Sequence, residues 1–420
     1  MKKRITAIVA ALFAMVVIFS GQAISQADAN GQDGIVFVED MLQDEAFVAS
    51  WNEQLLAQYG EEYLENLRNA HSNDAKLMGF FPKDSAGESI YPDFIGGIYY
   101  NDDGNMVVQI VDDAVSKKSS LYNRVAAFLE EEGVITESVE FSFNELEKTM
   151  NALNKLYLAP NRPAAFDNMD SCAEDTLNNR IEVRMVACNE VEIARFKSTV
   201  LDSPILHFAK AIALIQTYKC GTTTTEAPSP TVINPGQGVL INSSIFASIG
   251  YRARLSDGTV GIVTAGHGGV AVNQSTTYGA VKKQQYSGNV DGAFIATNSS
   301  YAPSNYANGF MTFLTQIQTV FCLGDPIAKV GCATGYTYGV VTRPSMTGAN
   351  GITGLVGTDA DAAGGDSGGI VLAHIAPSHP GRLPDHYTAG ILHGGAPGTN
   401  YTAIFCRADV INAAFGLTRY

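Results

Sequence analysis

The stretch GTTTTEAPSPT at residues 221–231 divides the 420-residue chain into two parts of different composition. It is rich in Thr and Pro and poor in apolar residues, which is typical of an extended linker that proteases can reach. Up to residue 232 the chain carries 34 acidic and 18 basic side chains. Residues 233–420 carry 8 acidic and 9 basic side chains, and the last glutamate of the chain is Glu226. We therefore predict two units, residues 30–220 and 233–420, joined by a linker at 221–232 that contains a processing site.

The first unit shows the mixed signals of an α+β domain. Apolar residues recur at helical spacing over 41–69, and the stretches 119–132 and 142–157 are also predicted helices. A Ser-x-x-Glu capping box predicts the start of the last of these helices. Residues 95–110 read as strand, Asp-Gly turn and strand, which predicts a β-hairpin.

The N-terminus has the pattern of a secretory signal peptide. Three basic residues, Lys2 to Arg4, precede the apolar run Ile5–Ser20, and Ala27-Asp28-Ala29 fits a small-x-small cleavage site. The apolar run is near the length that spans a bilayer, so an uncleaved membrane anchor is the alternative. We predict that residues 1–29 are removed on export and that the secreted protein has no membrane association.

The second unit has the sequence pattern of an all-β domain. Short apolar runs broken by Gly, Asn and Asp predict many short strands, and therefore a sandwich or barrel. The clearest runs are 261–264, 291–296, 339–342 and 369–373. Only the end, 408–415, has helical character.

Two glycine-rich motifs in the second unit carry candidate catalytic residues. VTAGHGG places His267 directly after a predicted strand, and GGDSGG surrounds Ser367 with small residues. A serine is a weak nucleophile, so it needs a base, an acid that orients the base, and N–H donors for the oxyanion. Asp291, at the start of the strand in NVDGAFI, is one acid between the two motifs. The other acids between the two motifs are Asp325, Asp359, Asp361 and Asp366.

The position of the serine in the chain argues against one competing fold. GDSGG also fits the GxSxG elbow of α/β-hydrolases, in which the acid and the histidine follow the serine. Only 53 residues follow Ser367, which is too few for the remaining strands and helices of that fold.

Together, TAGH at His267 and GDSGG at Ser367 resemble the two signature motifs of chymotrypsin-like serine proteases, in the family's order. The resemblance covers about residues 233–420 and is closest to the bacterial secreted branch that includes alpha-lytic protease and the streptogrisins. It implies an all-β fold of two six-stranded antiparallel β-barrels with a short C-terminal helix, behind an α+β pro-region. Ser367 would be the nucleophile, His267 the general base and Asp291 the acid that orients it. The backbone N–H groups of Gly365 and Ser367 would form the oxyanion hole.

The resemblance also implies how the chain is made and used. Residues 30–220 would be the protein's own pro-region, an inhibitor and folding template, with an independent targeting or adhesion domain as the alternative. Lys329 occupies the place of an arginine that pairs with the acid beside the nucleophile, which predicts an ion pair between Lys329 and Asp366. The implied function is that of a secreted, monomeric serine endopeptidase zymogen that acts on proteins or peptides. A protease-like binding module without activity is the rival hypothesis.

The sequence leaves the substrate preference open. His393, Gly394 and Gly395 match the strand that binds substrate, with His where the resembled branch usually has Ser. A His393 that reaches the pocket would favour acidic side chains, as in glutamyl endopeptidases, and Glu226 would then be a processing site. Asp361, six residues before the nucleophile, would instead favour basic side chains. A preference for small or aromatic side chains is the third alternative.

The cysteines and the charge bound the remaining possibilities. Six cysteines in an exported chain suggest disulfides. We predict a bond between Cys172 and Cys188 and another between two of Cys322, Cys332 and Cys406. No CxxC pair or HExxH motif is present, so no metal or other cofactor is expected. The net charge of −15 disfavours nucleic acid as a partner.

Overall fold

The computed structural model describes most of the chain from residue 60 onward. The described residues are 60–85, 89–111, 116–211, 216–217, 231–241, 244–307, 311–312, 316–348, 351–375, 385–396 and 402–420. The predicted signal peptide at 1–29 and residues 221–230 of the predicted linker lie outside them. No helix within these ranges combines the length and the apolar composition that crossing a membrane requires.

The first part of the chain begins with two helices and a three-stranded sheet, and the helices share one core with the first two strands. Their bounds are α1 Glu61–Phe80, β1 Ile95–Tyr100, β2 Met106–Val111, α2 Ser120–Glu131 and β3 Ile135–Val139. β2 is the central strand, antiparallel to β1 and parallel to β3. The predicted hairpin is confirmed. Its turn forms because Asn101 Oδ1 accepts hydrogen bonds from the N–H groups of Asp103 and Asn105, while Gly104 adopts a φ of 79°.

The first predicted helix differs from the observed one in its bounds. Residues 41–59 of the prediction lie outside the described residues, and α1 continues past residue 69 to Phe80. It continues because Ala70 and Leu77 extend its buried side against the same core.

A second layer follows, in which a capped helix covers one sheet. Its elements are α3 Phe143–Tyr157, β4 Met169–Asp175, β5 Arg180–Met185, α4 Glu190–Thr199, β6 Leu206–Lys210 and the short β7 Gln216–Thr217. β4 is antiparallel to β5, and β5 is parallel to β6. α3 begins at the predicted capping box: Ser142 Oγ accepts from the Glu145 N–H, and the Glu145 carboxylate accepts from the Ser142 N–H at 2.8 Å. The buried side of α3 consists of Leu146, Met150, Leu153 and Tyr157.

Removal of this cap should weaken the first part of the chain. We expect Ser142→Ala to lower the free energy of unfolding by about 1 kcal/mol, because the first turn of α3 loses a hydrogen-bond acceptor that replaces water at a buried position. Urea denaturation of the full chain, made in a Ser367→Ala background to prevent processing, measures the change. Ser138→Ala, at an exposed position on β3, is the control and should change stability by less than about 0.5 kcal/mol. Equal stability of the two variants would contradict the role of the cap.

The second part of the chain is built almost entirely of strands. They are β8 Thr231–Ile233, β9 Gly238–Ile241, β10 Ser244–Ser248, β11 Arg252–Leu255, β12 Val260–Thr264, β13 Gly279–Ser287, β14 Val290–Thr297, β15 Tyr301–Pro303, β16 Tyr306–Ala307, β17 Met311–Thr312, β18 Pro326–Gly331, β19 Gly335–Gly348, β20 Leu355–Thr358, β21 Ile370–Ile375, β22 Asp385–Gly395, β23 Ala403–Arg407 and β24 Leu417–Arg419, with the helix α5 Ala408–Phe415 before β24. The predicted strands at 261–264, 291–296, 339–342 and 369–373 fall within or overlap β12, β14, β19 and β21.

These strands form two mainly antiparallel units. In the first, which we call the first barrel, five strands pair in the order β13-β14-β12-β11-β24, and the antiparallel β9–β10 hairpin and the parallel β8–β15 pair are separate from this sheet. In the second, six strands pair in the order β18-β21-β22-β23-β20-β19, and β18 also pairs with β19, so this barrel is closed. The predicted all-β class with a short C-terminal helix is therefore confirmed.

The two parts of the chain are joined by one continuous sheet. β4 pairs with the end of β19, so that β4, β5 and β6 extend the sheet of the closed barrel. Side chains support this junction: Thr347 Oγ1 lies 2.5 Å from Asn154 Oδ1, and Arg343 forms a 3.4 Å ion pair with Glu182. The sheets that lie before and after the predicted boundary at 221–232 are thus hydrogen-bonded to each other.

The predicted disulfide between Cys172 and Cys188 is wrong. The register of β4 against β5 places Val183 opposite Cys172, and Cys188 lies beyond the end of β5. Both thiols are free, and Cys172 Sγ contacts Met150 Sδ at 3.8 Å.

The predicted bond among the later cysteines is also wrong, since no disulfide joins any of the described cysteines. The three residues lie in separate places. Cys322 packs against the core of the first part, Cys332 Sγ lies 3.1 Å from the carbonyl of Gly365, and Cys406 Sγ lies 3.4 Å from the backbone N of Asp291.

Candidate active site

Ser367 lies in a tight turn of the closed barrel, between β20 and β21. The turn depends on glycine on both sides of the serine. Gly365 has a φ of 112° and Gly368 a φ of 82°, both in the region that favours glycine. A Cβ at position 368 would lie 2.4 Å from Thr264 Oγ1 and 2.6 Å from the backbone N of Ala265. The GDSGG motif therefore forms a turn that packs closely against the first barrel. This packing places Ser367 where the two barrels meet.

His267 follows the end of β12 in the first barrel and reaches this serine. His267 Nε2 lies 2.9 Å from Ser367 Oγ. The approach requires glycine at 266, because a Cβ there would lie 2.3 Å from the carbonyl oxygen of Gln285. The two motifs, 100 residues apart in sequence, are thus brought within hydrogen-bond distance.

Asp291, the second residue of β14, lies behind the histidine and is fully buried. Its Oδ2 is 2.6 Å from His267 Nδ1, and its Oδ1 accepts hydrogen bonds from the N–H groups of Gly266 and His267 at 2.8 and 2.9 Å. Burial alone would raise the pKa of Asp291, but the hydrogen bonds and charges of the two histidines that contact it hold its pKa far below its usual range. The Asp291 carboxylate is therefore ionised, and it accepts hydrogen bonds without becoming protonated.

This arrangement defines the chemistry that Ser367 can perform. An ionised carboxylate accepts hydrogen bonds only, so His267 must carry its proton on Nδ1 and present the Nε2 lone pair to the serine hydroxyl. An imidazole in that tautomer can take the hydroxyl proton as Ser367 attacks an electrophilic carbon, and the carboxylate stabilises the imidazolium that forms.

The backbone around Ser367 offers two N–H donors. Gly365 and Ser367 are both buried. No described residue accepts a hydrogen bond from the backbone N–H of either one. Buried N–H groups are normally paired, so this pair is available to an oxyanion, as the sequence analysis expects of these two residues.

Lys329 and Asp366 form an ion pair beneath the turn that contains Ser367, the candidate nucleophile. We call this turn, at residues 364–369, the nucleophile turn. Lys329 Nζ lies 2.8 Å from Asp366 Oδ2, and both side chains are fully buried. Asp366 also accepts hydrogen bonds from the N–H groups of Ala333, Thr334 and Ala363 at 2.9 to 3.1 Å. Burial would raise the pKa of Asp366, but the Lys329 ammonium and these donors hold its pKa below its ordinary value. Because Asp366 directly precedes Ser367, the ion pair anchors the nucleophile turn.

His393 is placed differently from either pocket hypothesis. It lies at a bulge of β22, where the register against β23 shifts between Leu392 and Gly394, and a bulge re-aims the side chain it contains. The His393 ring is fully buried, and its Nδ1 lies 2.6 Å from Asp291 Oδ2. Asp361, the other candidate specificity residue, is exposed. Neither residue therefore has the placement that its specificity hypothesis assumed.

Gly394 and Gly395 pair with the last described strand before the linker. β7 runs antiparallel to β22, with Thr217 opposite Gly394 and Gln216 opposite Gly395. The carbonyl oxygen of His393, which directly precedes Gly394 in β22, lies 3.5 Å from Ser367 Oγ. A peptide that continues this pairing therefore passes directly over the serine.

Ser248 is a contributor to the site that carries no signal in the sequence. It is fully buried. Its Oγ donates to the carbonyl of Gly365 at 2.7 Å, and its N–H donates to the carbonyl of Ser367 at 2.6 Å. These bonds fasten both ends of the nucleophile turn to the first barrel. A serine in an ordinary strand sequence gives no sign of such long-range contacts.

One group in the described part of the chain has the composition of a metal site. The ligand atoms of His267, Asp291 and His393 lie within 4.8 Å of one another. The two 2.6 Å contacts between each imidazole Nδ1 and the carboxylate are hydrogen bonds that satisfy these atoms.

Comparisons with known proteins match both parts of the chain. Residues 43–154 match the family described as Pro-like N-terminal domain, and residues 144–211 match the Pro-like C-terminal domain. No curated protein matches the chain.

Among solved structures, the chain is similar to a chymotrypsin of Cellulomonas bogoriensis, at 25% identity and a TM-score of 0.37 over 45% of this chain and 99% of that one. It is similar to protease A of Thermobifida fusca, at 24% identity and a TM-score of 0.36 over 45% and 98%. The homologue N4 of alpha-lytic protease matches at 19% identity and a TM-score of 0.35 over 45% and 100%. The resemblance predicted from the two motifs and the long preceding region is confirmed.

Proposed function

Because the chain resembles the secreted bacterial branch of the chymotrypsin-like proteases and carries Pro-like domains ahead of its barrels, we propose that it is a secreted serine endopeptidase made as a zymogen. The observation that carries the proposal is the hydrogen-bonded series from Asp291 to His267 to Ser367, at 2.6 and 2.9 Å. The proposed enzyme acts as a monomer on proteins and peptides and needs no cofactor. Export rests on the signal pattern at residues 1–29.

The proposed reaction proceeds through an acyl-enzyme. Ser367 Oγ attacks the scissile carbonyl carbon while its proton moves to His267 Nε2, and the N–H groups of Gly365 and Ser367 stabilise the oxyanion. The imidazolium then gives its proton to the leaving amine as the C–N bond breaks. Water, deprotonated by His267, attacks the acyl-enzyme and releases the acid product and Ser367. Asp291 keeps the imidazole in one tautomer throughout.

The pairing of β7 with β22 supports a pro-region that inhibits the enzyme. A protease binds its substrate as an extended strand added to a sheet edge, and β7 occupies the edge at Gly394 and Gly395. The junction of β4 with β19 holds the first part of the chain against the closed barrel. Both contacts favour the inhibitor and template hypothesis over an independent targeting domain.

The same pairing predicts where the chain cleaves itself. Thr217 lies opposite Gly394, and the carbonyl of His393 lies beside Ser367 Oγ. In this register the residue after Thr217 is the one whose carbonyl carbon Ser367 would attack. That residue is Tyr218, so we expect cleavage between Tyr218 and Lys219 and a preference for aromatic side chains.

The proposal is tested by N-terminal sequencing of the secreted protein together with a fluorophosphonate probe. We expect the wild-type chain to yield a fragment that begins at Lys219 and to label at Ser367. Ser367→Ala should keep its first part attached and remain unlabelled, while Ser299→Ala, at an exposed position, should behave as wild type. A fragment that begins at Ala227 would restore the preference for acidic side chains. If the wild-type chain is neither cut nor labelled, the inactive binding module is the better description.

A further inference from the structure

Two histidines share one oxygen of the buried carboxylate. His267 Nδ1 and His393 Nδ1 each lie 2.6 Å from Asp291 Oδ2, and their rings are 5.5 Å apart at an angle of 83°. A carboxylate oxygen has two lone pairs, so it can accept both hydrogen bonds. The first barrel supplies Asp291 and His267, whereas the closed barrel supplies His393.

The shared oxygen fixes the proton on both rings. Because an ionised carboxylate only accepts hydrogen bonds, His393 must carry a proton on Nδ1, just as His267 does. Each donor withdraws negative charge from Oδ2. His393 therefore reduces the charge with which Asp291 can stabilise an imidazolium at His267, and it also prevents the carboxylate from rotating away from that ring.

We propose that His393 is a positioning residue of the catalytic centre, which holds Asp291 across the junction of the two barrels and shares its oxygen with His267. This inference rests on the proposed protease activity. The proposal assigns His393 to the support of Asp291, and through it of the general base His267, rather than to the specificity pocket.

Few other titratable groups face this pair among the described residues. The ring of Tyr286, which is opposite Asp291 in the β13–β14 register, lies 6.2 Å from the His393 ring and 5.7 Å from the His267 ring. The Cys406 thiol contacts the backbone N of Asp291, and burial raises the pKa of Cys406 to about 12, so it stays uncharged at neutral pH. A change in the acid side of the pH profile can therefore be assigned to the two histidines and Asp291.

The first test compares pH profiles of three enzymes. We expect His393→Ala to lower kcat by roughly tenfold, because a hydrogen bond to a charged group is lost. We also expect the acid midpoint of kcat/KM to rise by about half a unit or more, because the carboxylate then gives all its charge to His267. His393→Asn is the matched control, since its side-chain amide can donate to Oδ2 from nearly the same place. It should restore both values, whereas KM should change little in either variant.

A second test is independent of activity. Both Nδ1 protons should give strongly deshielded NMR signals in the full chain labelled with ¹⁵N-histidine and carrying Ser367→Ala. Adding His393→Asn should remove one of the two signals and leave the other. A single signal before that substitution, or an unchanged acid midpoint with kcat within twofold in His393→Ala, would overturn the proposal. If the wild-type chain has no activity at all, the proposed function fails while the two signals still report on the shared oxygen.

Discussion

Asp291→Asn is expected to lower kcat by about 10⁴-fold while the fold is retained. In the native site Oδ1 accepts two backbone N–H groups and Oδ2 accepts two imidazole protons. An asparagine would keep its oxygen on the backbone side, which leaves its NH₂ group facing both rings. Each ring must then accept at Nδ1, so His267 carries its proton on Nε2 and donates to Ser367 instead of accepting from it.

The loss is measured as kcat on a peptide substrate with an aromatic residue before the scissile bond. Asp257→Asn is the matched control, because Asp257 is exposed in a loop of the same part of the chain. The substitution makes the same chemical change, an NH₂ group in place of one carboxylate oxygen. Thermal unfolding of both variants in a Ser367→Ala background separates a chemical effect from a loss of folding. An Asp291→Asn enzyme that keeps more than a tenth of the wild-type kcat would show that His267 does not depend on this carboxylate for its tautomer.

Lys329→Met is expected to lower the free energy of unfolding by about 3–5 kcal/mol. Both partners of the ion pair are fully buried, so removal of the ammonium leaves a carboxylate with neither water nor an opposite charge. The backbone donors to Asp366 remain and place the expected loss at the lower end of that range. Activity should fall as well, because Asp366 directly precedes the nucleophile.

Urea denaturation in a Ser367→Ala background measures this loss, with the exposed Lys282→Met as the control. Combining Lys329→Met with Asp366→Asn should recover part of the stability by removing the unpaired charge. The ion pair holds the pKa of Asp366 below its ordinary value. The contribution is therefore complete above that ordinary value and is lost as the pH falls through the folded-state pKa. A Lys329→Met protein as stable as the Lys282→Met control would contradict the assignment.

The sequence was sufficient to propose Ser367, His267 and Asp291 as one site, because Ser367 and His267 lie in glycine-rich motifs and Asp291 begins a strand between them. Glycine is required at 266 and 368 because a Cβ would collide with backbone atoms, those of Gln285 in the first case and of Ala265 in the second. The capping box and the Asp-Gly hairpin were predictable for the same reason, since each is complete within a few residues.

Features that depend on distant parts of the chain could not be predicted in this way. The direction of the His393 ring follows from a bulge between β22 and β23, which no local pattern marks. The disulfide predictions were wrong because an even count of cysteines gives no information about strand register. In the observed register, Val183 rather than Cys188 lies opposite Cys172. The pairing of β4 with β19 joins residues more than 170 positions apart, and neither strand carries a sign of the other.

The hydrogen-bonded junction between β4 and β19 also bears on when the enzyme becomes free. Cutting one bond in the connecting segment does not break the main-chain pairs at Met346–Gly348 or the cluster of side chains around them. Under the proposed function, the severed first part therefore remains bound through this junction as a separate polypeptide. The onset of activity is then set by how fast that polypeptide dissociates or is digested, so that hydrolysis of other substrates begins only some time after the cut.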